Sequence, residues 1–438
     1  MRVASARSIA ARVLVRVERD GAFAAASLDA ELSRHPQLDP RDRALATELA
    51  YGSLRVRVGL LEQISSFAAR GIEGLDPLAR AHLLLAAYQI LFLARVPAFA
   101  AVDEAVDAIK VERGAKLAGF LNAVLRRFVR ERGGDRREEW ARKAVERSTP
   151  VWLRRSLGLT LGADGAASFL EPRVPPMGIC VFDAEARSEW MHRLQAAHPD
   201  ARFAEGKLSP HAILVENAGD PKVLTGFGVG WMPQEEGSQV VALALGARPG
   251  DRVLDACAGR GNKTAILRRG VGEAGQVDAA DLHPAKLERL MTVDPARAPQ
   301  RAFAVDWTQG PGDCTGPYDR ILVDAPCSGV GTVGRRPDIL LRRTEADVES
   351  LAATQAAILR TVVTLLAPGG HLVYAVCSVL RREAEEVLAQ VADILEPAPF
   401  DATTIDVGAL TADHAFRLLP SVHDTDGYFV ASLRRVAG

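Results

Sequence analysis

Two cysteines stand where a thiol could do chemistry. Cys327 lies in Asp324-Ala325-Pro326-Cys327-Ser328-Gly329, directly after the apolar run from Arg320 to Val323. Cys377 closes the run Tyr374-Ala375-Val376 and is followed by Ser378. A thiolate adds to electron-poor carbon where a thiol does not, so a reactive cysteine needs a lowered pKa or a neighbouring base. Taken singly, a cysteine is most often a small buried hydrophobe. Cys180, Cys314 and Cys257 are read that way. Cys327 and Cys377 differ because each follows a predicted strand at the same edge of one sheet, with Asp324 just ahead of the first.

A second constellation shares that edge. Val253-Leu254-Asp255 runs into Ala256-Cys257-Ala258-Gly259-Arg260-Gly261-Asn262-Lys263-Thr264. Small residues let backbone N–H groups approach a ligand, and the turn opens onto a helix N-terminus. The spacing is not that of a phosphate-binding G-x-x-x-x-G-K loop. Asp281 ends the next strand, 20 positions after Gly261. A carboxylate so placed suits ribose hydroxyls. Asp306, in Ala304-Val305-Asp306-Trp307, ends the third strand and suits an adenine amine. Each Asp alone reads equally as a cap or turn residue; several in succession at strand carboxyl ends point to a ligand edge. Ribose and adenine recognition without a phosphate loop implies an adenosine cofactor such as S-adenosyl-L-methionine. No metal-ligand spacing occurs among the cysteines, and no metal is expected.

Together the two sets define a reaction. C5 of cytosine is too weak a nucleophile to take a methyl group unaided. Thiolate addition at C6 makes an enamine whose C5 can attack a sulfonium methyl. The ring needs an acidic partner at N3 and the exocyclic amine, and Asp324 is placed for it. The C5 proton must then leave before the thiol is eliminated. A second cysteine, or a water it positions, could assist.

The elements that must hold these residues follow from periodicity. From Ala4 to about Glu131 the chain reads as helix, with Ile9, Val13 and Val17 forming one stripe. Asp39-Pro40 precedes one long pattern from Arg41 to Phe67, and Asp76-Pro77 opens another helix as N-cap and N1. Helices are also expected around Ala101–Val111 and Lys116–Arg130. Strands near Ile179–Phe182 and Ala212–Val215 flank a helix at Ala184–Ala196. From Gly237 strands and helices alternate, the rhythm of a doubly wound parallel sheet. The expectation is a multidomain chain: an N-terminal all-α bundle over 1–135, a small α+β middle module over 136–235, and a C-terminal α/β Rossmann-like domain over 236–438.

Composition agrees. At 438 residues the chain exceeds one typical core. It is 48% hydrophobic and 25% charged, ordinary for a globular protein. A net charge of −1 excludes a polycation, so any nucleic-acid surface is a local patch. The run from Leu83 to Leu93 is too short to span a membrane and reads as a core helix. Met1-Arg2-Val3-Ala4-Ser5 has no signal-peptide pattern. Five scattered cysteines argue against a disulfide framework, and a reducing cytoplasm is expected.

The motifs resemble the Sun-type RNA cytosine-C5 methyltransferases, and among them the small-subunit ribosomal RNA branch with a NusB-like N-terminal domain. The likeness runs along nearly the whole chain. It is carried by Asp324-Ala325-Pro326-Cys327-Ser328-Gly329 and by Cys377-Ser378 with Glu383 and Glu386. Gln234-Glu235-Glu236-Gly237-Ser238-Gln239, Leu418-Leu419-Pro420 and Asp424-Thr425-Asp426-Gly427-Tyr428-Phe429 extend it. Asp42-Arg43-Ala44 and Glu48-Leu49-Ala50-Tyr51-Gly52 resemble the NusB-type RNA-binding domain. The resemblance implies Cys377 as nucleophile, Cys327 as release cysteine and a C-terminal methyltransferase domain. It implies cofactor contacts from Cys257, Ala258, Gly259, Arg260, Gly261, Asn262, Lys263, Asp281, Asp306 and Asp324. Lys263 would also lie near the target base. The chain departs from the family loop at Gly259, Arg260 and Asn262, which implies an altered loop conformation with binding retained. It has Val376 where the family has Thr before the nucleophile, and no Arg-Val-Asn-Thr strand near Gly178–Phe182.

Between Arg126 and Arg155 stand eleven basic residues against five acidic ones. A solvated helix face and a phosphate surface are equally good readings. Arg335, Arg336, Arg342 and Arg343 form a second basic group beside the predicted site, suited to holding the backbone around an extruded cytosine. Aromatics at 5% do not indicate a stacking platform. The expected partner is RNA, small-subunit ribosomal RNA foremost, with no DNA and no membrane, and a monomer is expected. In DNA enzymes the nucleophile sits in the Pro-Cys motif instead. The alternatives are a non-catalytic RNA-binding or ribosome-assembly factor, a cytosine-C5 methyltransferase acting on transfer RNA, and a methyltransferase for DNA or protein.

Overall fold

The computed structural model describes residues 5–218, 221–292, 297–401, 410 and 413–436; Ala4 lies outside them. Two compact units form. The first takes Met1–Arg155, Leu170–Val174 and Val333–Arg342; the second takes the rest.

The first unit is helical. Its helices are α1 (Ala6–Asp20), α2 (Ala24–Ser33), α3 (Pro40–Arg55), α4 (Arg57–Ser65), α5 (Pro77–Phe92), α6 (Ala98–Arg113), α7 (Ala115–Arg132) and α8 (Arg137–Ser148). Ile9, Val13 and Val17 are buried along α1, as their spacing implies. Asp76 caps α5, accepting from the amides of Leu78 and Ala79, with Pro77 in the first turn. The apolar run from Leu83 lies in α5, which is buried almost all round. The single pattern expected from Arg41 to Phe67 is two helices, broken at Val56 (φ −112°, ψ 19°). The break lets Gly59 lie on α8: a Cβ there would meet the Ala144 carbonyl oxygen at 2.4 Å. The Gly59 amide donates to Ser148 Oγ at 2.9 Å.

Val333–Arg342, which follows the Cys327 loop in sequence, completes this unit. Arg55 donates to the Gly334 carbonyl at 2.7 Å, and Leu341 packs on the helical core. Arg342 donates at 2.6 Å to both the Gly21 and Ala22 carbonyls, with its guanidinium 4.4 Å from the Phe23 ring centre.

The second unit begins in α9 (Val151–Leu170), which bends at Gly162 (φ 74°). A four-stranded antiparallel sheet follows, in the order β2-β3-β1-β4: β1 (Met177–Val181), β2 (Arg202–Glu205), β3 (Ala212–Glu216) and β4 (Trp231–Pro233). With α10 (Arg187–Ala197) it makes the expected α+β module around Ile179, Leu194, Ile213 and Trp231. The Gln234–Gln239 stretch joins it to the larger sheet. Buried Gln239 donates to the Gln234 and Ile179 carbonyls, and Glu235 caps α11 (Glu236–Leu243).

The larger sheet contains β5 (Arg252–Asp255), β6 (Gln276–Asp281), β7 (Arg301–Ala304), β8 (Tyr318–Asp324), β9 (Leu366–Val376), β10 (Leu395–Pro397), β11 (Ala415–Leu418) and β12 (Tyr428–Arg435). Its order is β10-β12-β9-β8-β5-β6-β7, with β11 on β12. β5 to β9 are parallel, linked through α12 (Asn262–Val271), α13 (Pro284–Met291) and α14 (Glu345–Val362). The edge differs from an all-parallel sheet: β12 runs antiparallel to β9, with β10 and β11 antiparallel to β12. An antiparallel strand needs no helical crossover. Cys180 and Cys314 are buried, as read from the sequence. Among the described residues no helix is long and apolar enough to cross a membrane.

Candidate active site

Strand register brings the two cysteines together. β8 and β9 are parallel with Asp324 opposite Ala375. Cys327 and Cys377 thus leave the sheet at one edge, and their Sγ atoms are 3.1 Å apart as free thiols. The loops are laced by backbone bonds. Ala325 N–H donates to Ala375 O at 2.9 Å, Gly331 N–H to Cys377 O at 3.0 Å, and Gly427 N–H to Gly331 O at 2.8 Å. The thiol contact with Cys377 pushes the Cys327 pKa well up, with burial and the charges of Cys377, Glu383 and Asp324 adding to it. Val376 is fully buried in the sheet core, so a side-chain hydroxyl there would face apolar neighbours.

Lys263, in the first turn of α12, donates to Asp324 at 2.6 Å. Burial by itself would lower the Lys263 pKa, but the charge of Asp324 and its hydrogen bond outweigh it, and the net shift is upward. The ammonium stays charged, with Asp255 and Cys377 in its field. Asp255 ends β5, fully buried, and accepts from Thr264 Oγ at 2.7 Å. Burial pushes its carboxyl up to about 6 against that bond.

The turn after β5 is built on two left-handed glycines, Gly259 (φ 57°) and Gly261 (φ 80°). Gly261 is also sterically required, since a Cβ would lie 2.0 Å from Leu290 Cδ1. Ala258 N–H donates to Ala280 O, and Asn262 Nδ2 to Pro233 O. Asp281 reaches across β6 to this turn: Oδ2 accepts from Gly259 N–H at 3.0 Å, and Oδ1 from His283 N–H at 2.9 Å and Lys286 Nζ at 3.1 Å. Cys257 is partly exposed, and burial plus the carboxylates of Asp255, Asp324 and Asp281 push its thiol well up. Arg260 is exposed at the crest of the turn.

Of the residues singled out by sequence, bonds join Cys327 to Cys377, Lys263 to Asp324, and Asp281 to the glycine turn. Asp306 lies two positions beyond β7, exposed, with its Oδ1 accepting from Thr308 N–H at 3.0 Å and Thr308 Oγ at 2.7 Å. That is the turn-residue geometry. The basic groups divide between the two units. Arg335, Arg336 and Arg342 belong to the helical unit, where Arg342 is engaged by loop carbonyls; Arg343 alone stays with the sheet, donating to Ser328 O at 3.2 Å. In the Arg126–Arg155 run, Arg127 pairs with Glu131, Lys143 with Glu139, Arg147 with Glu62 and Arg154 with Glu146. Three of these partners are acids of the run itself, so of these four pairs Arg147–Glu62 alone draws on the local excess.

Sequence reasoning missed what supports the site. Trp307 Nε1 donates to Ala256 O at 2.7 Å beneath the glycine turn. Gln355, buried on α14, donates to Pro326 O at 2.9 Å and accepts from Tyr374 OH at 3.0 Å. The available signal was a polar residue on the apolar stripe of a long helix.

Comparison with known proteins identifies the family. A family profile described as "16S rRNA methyltransferase RsmB/F" matches residues 242–434, and the NusB family profile matches residues 4–130. Ribosomal RNA small subunit methyltransferase B of Xanthomonas campestris pv. campestris is 33% identical, over 99% of this chain and 98% of that protein. The probable ribosomal RNA small subunit methyltransferase B of Bacillus subtilis is 30% identical, over 99% of this chain and 100% of that protein. The crystal structure of PH0851 shares the fold, with a TM-score of 0.77 at 21% identity over 98% of each chain. By these matches along its length, the chain belongs to the RsmB/F family of 16S rRNA methyltransferases.

Proposed function

We propose that this chain transfers a methyl group from S-adenosyl-L-methionine to C5 of a cytosine in RNA, small-subunit ribosomal RNA foremost, through a covalent bond between Cys377 and C6. The observation that carries the reading is the 3.1 Å approach of two free thiols beside the Lys263–Asp324 pair. A mono-thiol methyl transfer has no use for the second sulfur.

The cofactor fits the residues present. The Gly259–Gly261 turn leaves room for close backbone approach, Asp281 suits ribose hydroxyls, and exposed Leu282 beside it offers an apolar surface to adenine. When bound there, S-adenosyl-L-methionine supplies an electrophilic methyl group. Asp306 and Arg260 complete the proposed cofactor loop set, with Cys257, Ala258 and Asn262 contributing backbone.

Cys377 gives its proton to solvent water and, as thiolate, adds through sulfur to C6. The C5–C6 electron pair moves to C5, which takes the methyl group. Asp324, held by Lys263, faces N3 and the exocyclic amine and steadies the ring as charge shifts. Cys327, or a water that it holds, then receives the C5 proton. The double bond reforms as the C6–S bond breaks, and Cys377 is released. The helical domain (1–135) and the middle module (136–235) are proposed to bind the RNA, and the domain over 236–438 to do the chemistry.

The test is adduct formation with transcribed small-subunit ribosomal RNA. Cys377→Ala should give neither product nor adduct, and Cys327→Ala should trap a protein–RNA adduct on a denaturing gel. Wild-type turnover by Cys377→Ala would overturn the nucleophile assignment. Bisulfite sequencing of the treated RNA reads the target base.

A further inference from the structure

The two cysteines are not held alike. Cys377 directly follows β9, which is paired on both sides, with β8 up to Ala375 and with β12 up to Val376. Cys327 stands in irregular chain between β8 and the short 3-10 turn Val330–Thr332. Its place depends on side chains that grip its neighbours. Glu383, six positions after Cys377 on the same loop, is fully buried. Its Oε1 accepts from Ser328 N–H at 2.7 Å and from Gln355 Nε2 at 3.3 Å; its Oε2 accepts from Ser328 Oγ at 2.5 Å. Gln355 also donates to Pro326 O at 2.9 Å. Cys327 is thus gripped at the residue before it and the residue after it. The grip is anchored to β9, where Tyr374 OH donates to Glu383 O at 2.6 Å and lies 3.0 Å from Gln355 Oε1. Three ionic or dipolar groups buried together hold well only when all are satisfied.

We propose that Glu383 and Gln355 are positioning residues that hold the Cys327 sulfur against Cys377, so that their loss stalls release of the covalent adduct and leaves its formation intact. This rests on the function proposed above. The asymmetry is the reason. Addition of Cys377 to C6 needs only the strand-borne thiol. Release needs the C5 proton to pass to Cys327, or to a water it holds, as the C5–C6 double bond reforms and the C6–S bond breaks. A sulfur displaced by an ångström fails at that step alone, where misplacement costs about 100-fold.

The test uses Glu383→Gln, which keeps the shape and removes the charge, in the full chain with transcribed small-subunit ribosomal RNA. Turnover should fall by about 100-fold while protein–RNA adduct accumulates on a denaturing gel. The KM for RNA and the cofactor affinity should stay at wild-type values. Wild-type turnover, or lost turnover without adduct, overturns the inference. If Glu383→Gln does not bind cofactor, Ser328→Ala, which deletes one hydroxyl of the grip, is read in its place by the same criteria. Cys377→Ala runs alongside. Adduct from that variant would sink the proposed function itself; an inactive Cys377→Ala beside a fully active Glu383→Gln sinks only the positioning role.

Discussion

Gly331→Ala should loosen the site without touching a reactive group. Gly331 has no left-handed backbone requirement, so the effect is purely one of space. A Cβ there would lie 1.9 Å from Gly427 O, 2.6 Å from its carbonyl carbon and 2.9 Å from its Cα. All three are backbone atoms, and no rotamer change relieves them. Separating the segments stretches two bonds, Gly331 N–H to Cys377 O and Gly427 N–H to Gly331 O. Overpacking costs about 1–3 kcal/mol, and each backbone bond about 0.5–1.5 kcal/mol. Replacing glycine stiffens the unfolded chain and returns about 0.4–1 kcal/mol. The net is roughly 2–5 kcal/mol against the closed loops, taking these ranges together. At tenfold per 1.4 kcal/mol, amide exchange at Gly331 and Gly427 should quicken by roughly 30- to 5,000-fold. Hydrogen–deuterium exchange on peptides covering 325–335 and 424–430 measures it. Unchanged protection at both amides would refute the claim that these glycines lace the two cysteine loops.

Three further expectations follow from the charges and the cofactor turn. Lys263→Met strands the partly buried Asp324 carboxylate and should cost about 1–3 kcal/mol, as leaving a buried acceptor unpaired does; Asp324→Asn on top should recover part of it, and strictly additive losses in the double variant would contradict a coupled pair. Asp281→Ala frees the Gly259 amide and should weaken S-adenosyl-L-methionine binding by about tenfold or more, one charged hydrogen bond's worth; equal affinity in a calorimetric titration removes Asp281 from the site. Burial pushes His82 down from 6.5 to about 4. The native state then binds fewer protons than the unfolded one, so stability is intact above pH 6.5 and is lost as pH falls toward 4, by about 3 kcal/mol. His82→Leu should flatten the acid unfolding profile of the helical unit over that window, and an unchanged profile would exclude His82 as its source.

What could be read in advance was local or periodic. Asp76-Pro77 declared a helix start because a cap and its first turn are adjacent in sequence. β5 to β9 declared themselves by apolar runs with punctuating turns, and Asp324, Cys327 and Cys377 by where those runs stop. β10 and β11 are short and exist through their pairing with β12, which no run of residues announces. α8 and the start of α9 were hidden in a charged stretch whose apolar residues are sparse. Asp306 resembled Asp281 in sequence, yet Asp281 reaches the glycine turn whereas Oδ1 of Asp306 accepts from Thr308 two positions on. Glu383 and Gln355 were invisible as a grip, because Glu383 is 55 positions from Ser328 and Gln355 is 29 from Pro326, and only the fold makes them neighbours.

Val333–Arg342 gives the chain an interleaved topology rather than the beads-on-a-string order its profile matches suggest. No single cut yields two self-sufficient pieces. Excising the first 155 residues would strip Leu341 of the helical core it packs on and leave the ten-residue segment Val333–Arg342 without the unit it belongs to. Excising the remainder would leave Arg55 without its carbonyl at Gly334. A chimera with another helical domain must therefore exchange that loop as well, since it is encoded within the boundaries of the sheet-bearing region.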